Sequence, residues 1–218
     1  MKIFLRSIAL FSIAALLVIF PLQASAQSGG YVGLFGGYSF SPDAKYDVSP
    51  YSFDLDVQNT WLVGLKIGYT PPQMKFFSIE FEYSYMNPDI DRTVLLQAGG
   101  DFIAVEGDAT IHSFMVNLIG KYPEGKIHPY FGIGLGFAQF DVSGKFTGRI
   151  GGVSRYAEAD GDDTPFAWQI LAGVEFDINK NFSVDLGYRY YNTKPDLGDD
   201  EKIDYKTSVV TLGLKYSF

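Results

Sequence analysis

Residues 77–86 read Phe77-Ser78-Ile79-Glu80-Phe81-Glu82-Tyr83-Ser84-Tyr85-Met86. Large apolar or aromatic side chains hold every odd position, and Ser78, Glu80, Glu82 and Ser84 hold even ones. A period of two belongs to an extended strand with one apolar and one polar face. The pattern returns along the chain. Trp61, Val63, Leu65, Ile67 and Tyr69 alternate with Gly64, Lys66 and Gly68. Phe166, Trp168, Ile170, Val174 and Phe176 stand against Gln169, Gly173, Glu175 and Asp177. Phe182, Val184, Leu186, Tyr188 and Tyr190 stand against Ser183, Asp185, Gly187 and Arg189. The ending sets Val210, Leu212, Leu214, Tyr216 and Phe218 against Thr207, Thr211, Gly213, Lys215 and Ser217.

Three further segments follow the pattern less cleanly. In 31–40 the apolar face is Val32, Leu34, Tyr38 and Phe40, opposite Gly33, Phe35, Gly37 and Ser39. In 127–140 it is Phe131, Ile133, Leu135 and Phe137, opposite Gly132, Gly134, Gly136 and Ala138. In 110–122 it is Phe114, Val116, Leu118 and Tyr122, opposite Ser113, Met115 and Asn117. Eight segments of about 10–13 residues result, and a tilted strand needs about 9–11 residues to cross the hydrocarbon of a membrane. Trp61, Tyr85, Trp168, Tyr188 and Tyr190 form one aromatic girdle of the apolar faces. Tyr69, Phe77, Tyr122, Phe131, Phe176, Phe182 and Phe218 form the other. Rings with a polar tip favour the lipid–water boundary.

The connections alternate in length. Gaps 41–59, 88–109, 141–165 and 194–205 are long; gaps 70–76, 123–126 and 178–181 are short. Short periplasmic turns and long outer loops mark single-chain bacterial barrels. In lipid every backbone N–H and C=O must be bonded within the protein, so spanning strands must close into a ring. The expected fold is an all-β, eight-stranded antiparallel up-and-down transmembrane β-barrel over residues 27–218. Both mature termini should lie in the periplasm and the long loops outside the cell.

Residues 1–26 carry the marks of a cleaved secretory signal peptide. Lys2 and Arg6 form a positive start, Ile8 to Phe20 an apolar stretch, and Pro21 a break. Ala24-Ser25-Ala26 supplies the small residues of a cleavage site. Cleavage takes the formal charge from −8 to −10, which excludes a nucleic-acid partner bound through clustered Lys and Arg. With Cys 0 there is no disulfide, thiolate metal site or cysteine nucleophile.

The inward face carries Lys66, Glu80, Glu82, Asn117, Gln169, Glu175, Asp185, Arg189 and Lys215. Counted from the Pro71-Pro72 turn, Lys66 and Glu80 are equidistant and are expected to pair. Glu175 and Asp185 face each other across the 178–181 turn and need a cation, which Arg189 or Lys215 can supply. One reading is a plug whose charges neutralise one another, since eight strands leave a lumen just wide enough for side chains. The other is a selectivity lining or gated pore. The bare wall of Gly132, Gly134 and Gly136 either leaves room or receives bulky partners such as Arg189 and Tyr191.

The long connections are acidic. They hold Asp43, Asp47, Asp54 and Asp56; Asp89, Asp91, Asp101, Glu106 and Asp108; Asp160, Asp162 and Asp163; and Asp196, Asp199, Asp200, Glu201 and Asp204. Divalent cations favour such oxygen clusters, yet no EF-hand spacing is present and a solvated rim is the simpler expectation. The stretches around Gly99-Gly100 read as a β-hairpin. His112 and Ser113 are neighbours on a strand and point to opposite faces, which argues against proton sharing; His128 belongs at the other end of the barrel. No P-loop, zinc motif or nucleophile elbow appears, so no catalytic residue, metal or cofactor is assigned.

Four stretches carry a family resemblance: Tyr31-Val32-Gly33-Leu34-Phe35-Gly36-Gly37-Tyr38-Ser39-Phe40, Pro129-Tyr130-Phe131-Gly132-Ile133-Gly134-Leu135-Gly136, Leu186-Gly187-Tyr188-Arg189-Tyr190 and Leu212-Gly213-Leu214-Lys215-Tyr216-Ser217-Phe218. Through them the chain resembles the small outer-membrane β-barrel (porin-like) proteins of the OmpA-barrel, OmpX and OmpW type. The resemblance implies residence in a Gram-negative outer membrane, contact with its lipids and lipopolysaccharide, and a terminal Phe218 read by the barrel-assembly machinery. It leaves three functions open: a structural or surface-interaction barrel with limited solute passage, a narrow channel for small or amphipathic solutes, and a lipid A-modifying enzyme.

Overall fold

The computed structural model describes residues 29–48, 51–55, 57–98, 100–151, 153–198 and 201–218. Every element there is a strand: β1 (Gly30–Val48), β2 (Tyr51–Leu55), β3 (Trp61–Tyr69), β4 (Phe77–Met86), β5 (Asp89–Ala98), β6 (Asp101–Lys121), β7 (Ile127–Ile150), β8 (Val153–Asp163), β9 (Phe166–Asp177), β10 (Phe182–Thr193), β11 (Asp196–Gly198) and β12 (Glu201–Ser217). All pairings are antiparallel and belong to one sheet. Following neighbours from β1 gives β3, β4, β6, β7, β9, β10 and β12, and β12 pairs with β1 again. The sheet is therefore closed, with no free edge around that path.

The strand count differs from the expected eight. The long connections are not irregular loops: β2, β5, β8 and β11 fold back on β1, β6, β7 and β12 and prolong the sheet at one end. β6 and β7 stay in unbroken register from Lys121↔Tyr130 to Phe102↔Arg149. Hairpins pair the backbone groups of these segments within the chain, and the hairpin around Gly99-Gly100 is one of them. We call this the hairpin end.

The other, or turn, end is built from tight chemistry. Asn179 Oδ1 accepts the backbone N–H groups of Asn181 and Phe182 at 2.9 and 3.0 Å, an Asx turn that spares the connection further residues. Gly125 takes φ +84° in the 123–126 turn, which an L side chain would strain. In the 70–76 connection Met74 N–H donates to the Pro71 carbonyl and Phe77 N–H to that of Met74, and the register is centred on Met74, with Tyr69 opposite Ile79.

The faces are those of the period-two pattern. Leu34 is 66% exposed, Trp61 73% and Leu212 61%, whereas Glu82 and Gln169 are 1% exposed and Asn117 is fully buried. Water-soluble proteins almost never bury carboxylates and leave their apolar strand faces bare; a ring standing in hydrocarbon does both. The inside has two zones. Toward the hairpin end, Phe35, Leu62, Met86, Ile111, Met115, Phe140, Tyr205 and Val209 pack an apolar core. Toward the turn end the interior is charged. The 127–140 glycines do not make room for Arg189 and Tyr191. Gly134 abuts the side chains of Asn117 and Gln169, and Gly136 abuts Met115.

Candidate functional site: the charged interior

Each inward side chain here is set by strand parity. Glu82 on β4 and Arg189 on β10 have three ring strands between them either way round, so they stand across the full diameter of the lumen. They meet: Arg189 Nη1 lies 2.5 Å from Glu82 Oε1, and Nη2 lies 3.3 Å from Oε2. Gln169 Nε2 donates to Glu82 Oε1 at 3.3 Å and to Asn117 Oδ1 at 2.9 Å. Asn117 Nδ2 donates to Glu80 Oε1 at 3.2 Å and to Glu82 Oε2 at 3.3 Å. The guanidinium lies 4.6 Å from the Phe35 ring centroid, close enough for a cation–π contact. Among the described residues, Arg189 Nε is the one buried side-chain nitrogen or oxygen without a hydrogen-bond partner.

Nearer the turn end, Lys66 bridges Glu80 at 3.8 Å and Asp185 at 3.7 Å. Tyr31 donates its hydroxyl to Glu80 at 3.1 Å. Glu175 is bonded by Lys215 and lies 3.5 Å from Lys121. Lys215 also sits 4.7 Å from the Tyr31 ring centroid. Four carboxylates, Glu80, Glu82, Glu175 and Asp185, thus face four cations, Lys66, Lys121, Arg189 and Lys215, around a residual void of about 30 Å³, space for one or two waters. Burying any of these charges alone would cost several kcal/mol, by general estimates of roughly that size per ion; mutual neutralisation is what permits the zone.

The expected inward set is brought together, with corrections in the pairing. Lys66 stands directly opposite Glu82, and Glu80 opposite Gly68. The Lys66–Glu80 bridge is therefore diagonal, because the turn is centred one residue beyond the point assumed from Pro71-Pro72. Glu175 and Asp185 are opposite each other as expected, and of the two expected cations Lys215 serves Glu175, joined by Lys121, while Lys66 rather than Arg189 serves Asp185. Arg189 serves Glu82. Tyr31, Lys121 and Tyr130 also line the void and lie beyond the inward set expected from the sequence. They are in phase with Gly33, Met115 and Gly132, a signal that strand ends beside turns make easy to overlook.

His112 and Ser113 do diverge. His112 Nδ1 bonds the Tyr83 hydroxyl at 2.8 Å, while Ser113 Oγ bonds the Tyr191 hydroxyl at 3.0 Å inside. His128 lies at the turn end, 2.9 Å from both the Tyr122 carbonyl and Asp177 Oδ2. Phe218 N–H donates to the Gly30 carbonyl at 3.0 Å, and its ring is 6.4 Å from that of Tyr216. The segment 1–26, with Ala24 and Ala26, and residues Asp56, Asp199 and Asp200 lie outside the described residues, as do the side chains of Asp43, Asp47, Asp54, Asp160, Asp196 and Glu201. Among the described residues no three His, Cys, Asp or Glu side chains are grouped to hold a metal.

Comparison with known proteins places this architecture. The sequence profile described as "Outer membrane protein beta-barrel domain" matches residues 12–218. Outer membrane protein P.IIC of Neisseria gonorrhoeae is 43% identical over 49 residues, which cover 22% of this chain and 17% of that protein. The chain thus aligns with less than a fifth of that relative's length. The 31 kDa outer-membrane immunogenic protein of Brucella melitensis is 26% identical over 232 residues, covering 91% of this chain and 86% of the relative. The crystal structure of the outer membrane protein OprG from Pseudomonas aeruginosa superposes with a TM-score of 0.56 at 15% identity, covering 88% of this chain and 97% of that one.

Proposed function

Because the chain belongs to the outer membrane protein beta-barrel domain family, and so to the outer membrane, we propose that it is a shut barrel of eight membrane-spanning strands with a structural and surface-presenting role. The eight are β1, β3, β4, β6, β7, β9, β10 and β12, and the four paired hairpins stand outside the cell with both termini in the periplasm. The leader 1–26 is removed at Ala26, and Phe218 serves the assembly machinery as the recognised end of an alternating last strand. The barrel performs no catalysis.

The observation that carries this reading is the Glu82–Arg189 bridge across the diameter of the lumen. With Gln169, Asn117 and Phe35 it fills the mid-section, and above it the interior is mainly apolar and closely packed, with the Ser113 and Tyr191 hydroxyls bonded to each other. Balanced charge further removes the single-sign lining that a selective pore uses. Planar-bilayer recording on the refolded protein tests it. Silence is expected; a sustained open-state conductance would overturn the reading in favour of a channel.

A second reading, binding of a small apolar solute, draws support from the hairpin end. There Val57, Ile90, Ile111, Phe140, Val142 and Tyr205 line a void of about 40 Å³. That volume admits only a very small group without rearrangement. Saturable quenching of a pyrene or dansyl fatty acid, lost in Ile111→Asp, would favour this reading.

A further inference from the structure

We propose that the void among Lys66, Asp185, Arg189 and Thr211 is a binding site for ordered water, where one or two molecules accept the Arg189 Nε–H and bridge the Lys66 ammonium to its two carboxylates. The proposal deepens the reading of a shut barrel and rests on it. Arg189 Nε is buried without a hydrogen-bond partner among the described residues, and Arg189 lines the void. The terminal nitrogens are engaged by Glu82 and by Gln169 Oε1, and the guanidinium lies against the Phe35 ring. None of these contacts serves Nε. A buried N–H left unbonded keeps the whole cost of its desolvation, so protein or water almost always meets it.

The ion-pair lengths are the second observation. Arg189 and Lys215 bond Glu82 and Glu175 directly. Lys66 Nζ instead stands 3.8 Å from Glu80 and 3.7 Å from Asp185, beyond the reach of a direct hydrogen bond. It lies 5.9 Å from the Phe35 ring centroid. Lys66, Glu80 and Asp185 all line the same void as Arg189. Polar contacts of that length are the ones that an interposed water completes. A water there accepts from the ammonium and donates to a carboxylate, which joins the two ions without moving either.

A bare glycine supplies the seat. Gly187 precedes Arg189 by one inward position on β10 and stands opposite Thr211. A Cβ on Gly187 would lie 2.7 Å from Thr211 Oγ1, 2.7 Å from the Tyr130 hydroxyl oxygen and 3.9 Å from Asp185 Oδ1. Three oxygens thus gather around one uncovered stretch of backbone. The Tyr130 hydroxyl interacts with Asp185, which leaves its lone pairs for a neighbouring molecule, and a threonine hydroxyl both donates and accepts. The volume of about 30 Å³ suits one or two waters, at roughly 10–15 Å³ each on that measure. Neutrality favours water over an ion, because the four carboxylates already face four cations and an added charge would go uncompensated. Lys121, 16% exposed, lines the void as well, so the water exchanges with solvent past the turn end, while the Glu82–Arg189 bridge closes the other side.

The test is NMR on the full mature protein, refolded in detergent micelles with isotope-labelled arginine, reading rotating-frame cross-peaks between water and the Arg189 Nε–H. The wild type should show a cross-peak of sign opposite to the diagonal, the mark of direct contact with a held water rather than of proton exchange. Gly187→Ala, whose methyl group would stand against both hydroxyls, should lose it. Thr211→Val keeps the shape but not the hydroxyl and should weaken it, and Thr211→Ser should restore it. No cross-peak in the wild type would overturn the water site and leave the shut lumen standing. A cross-peak unchanged in both Gly187→Ala and Thr211→Val would overturn the site as placed here. A cross-peak of the same sign as the diagonal, together with sustained conductance in the bilayer experiment, would mean free solvent at Arg189 and overturn the shut barrel itself.

Discussion

Breaking the Glu82–Arg189 bridge decides whether the mid-section is dry. In Arg189→Leu, Glu82 keeps only the amide donors of Gln169 and Asn117, each at 3.3 Å. A carboxylate 1% exposed then lacks its counter-charge, which costs about 3–5 kcal/mol for a buried pair. Glu82→Leu strands the guanidinium with the Phe35 face and a 3.5 Å contact to Gln169 Oε1, at a similar cost. The same pair in a water-filled channel would be worth about 0–1 kcal/mol. The double variant removes both charges, and its loss should be far smaller than the two single losses together, because apolar side chains of similar volume commonly replace a buried pair without penalty. Urea unfolding from lipid vesicles reads this directly, with Trp61 and Trp168, the two tryptophans, reporting insertion. Single variants within about 1 kcal/mol of wild type would show a solvated pair and refute the shut mid-section.

Gly64→Val should destabilise the barrel by about 1–3 kcal/mol through overpacking, since the Phe35 ring lies against the bare Gly64 backbone; the folded fraction on unheated gels checks it. Leu135→Arg, on the lipid-facing side, should cost about 2–4 kcal/mol near the midplane, whereas a soluble fold would tolerate it; vesicle unfolding distinguishes the two. Asp204 has a folded pKa below its ordinary value, because hydrogen bonds and charge from Lys206 and Lys194 outweigh burial. Its contribution to stability is thus present above the unfolded value, near about 3.9, and fades as pH falls through the folded one. An NMR titration of its side-chain carboxyl carbon should show that low midpoint, and a midpoint at or above the ordinary value would contradict the cluster. Phe218→Ala should slow assembly in cells while leaving refolding into detergent intact; equal loss in both would mean that Phe218 is structural rather than recognised.

The spanning strands and their faces are legible in the sequence because lipid enforces them. An outward position must be apolar and its neighbour must fit a narrow lumen, so even the irregular 110–122 segment has one consistent phase. Above the membrane that demand lapses. In 141–150 the period of two persists with polar residues on the outward face, Asp141, Ser143, Lys145, Thr147 and Arg149, so the apolar outward pattern ends where β6 and β7 continue into hairpins. The charged interior is legible as a set of residues and in two of its pairs, Lys66 with Glu80 and Lys215 with Glu175, but not in the pair that crosses the lumen. A lumen brings Glu82 and Arg189 together across its diameter although 107 residues separate them, and counting along hairpins sees only adjacent strands. Lys121 and Tyr31 are hard to assign to a face from the sequence because they stand where strand and turn merge.

The native absence of cysteine permits the most direct test, single-cysteine spin labels along 77–86 in reconstituted vesicles, with collision rates to apolar oxygen and to a water-soluble nickel chelate. Labels at 79, 81 and 83 should meet oxygen freely and the chelate hardly at all, while labels at 80, 82 and 84 are shielded from both. Equal rates at odd and even positions, or chelate reaching 79, 81 and 83, would contradict a ring that turns its apolar face to lipid around a closed, charge-balanced interior.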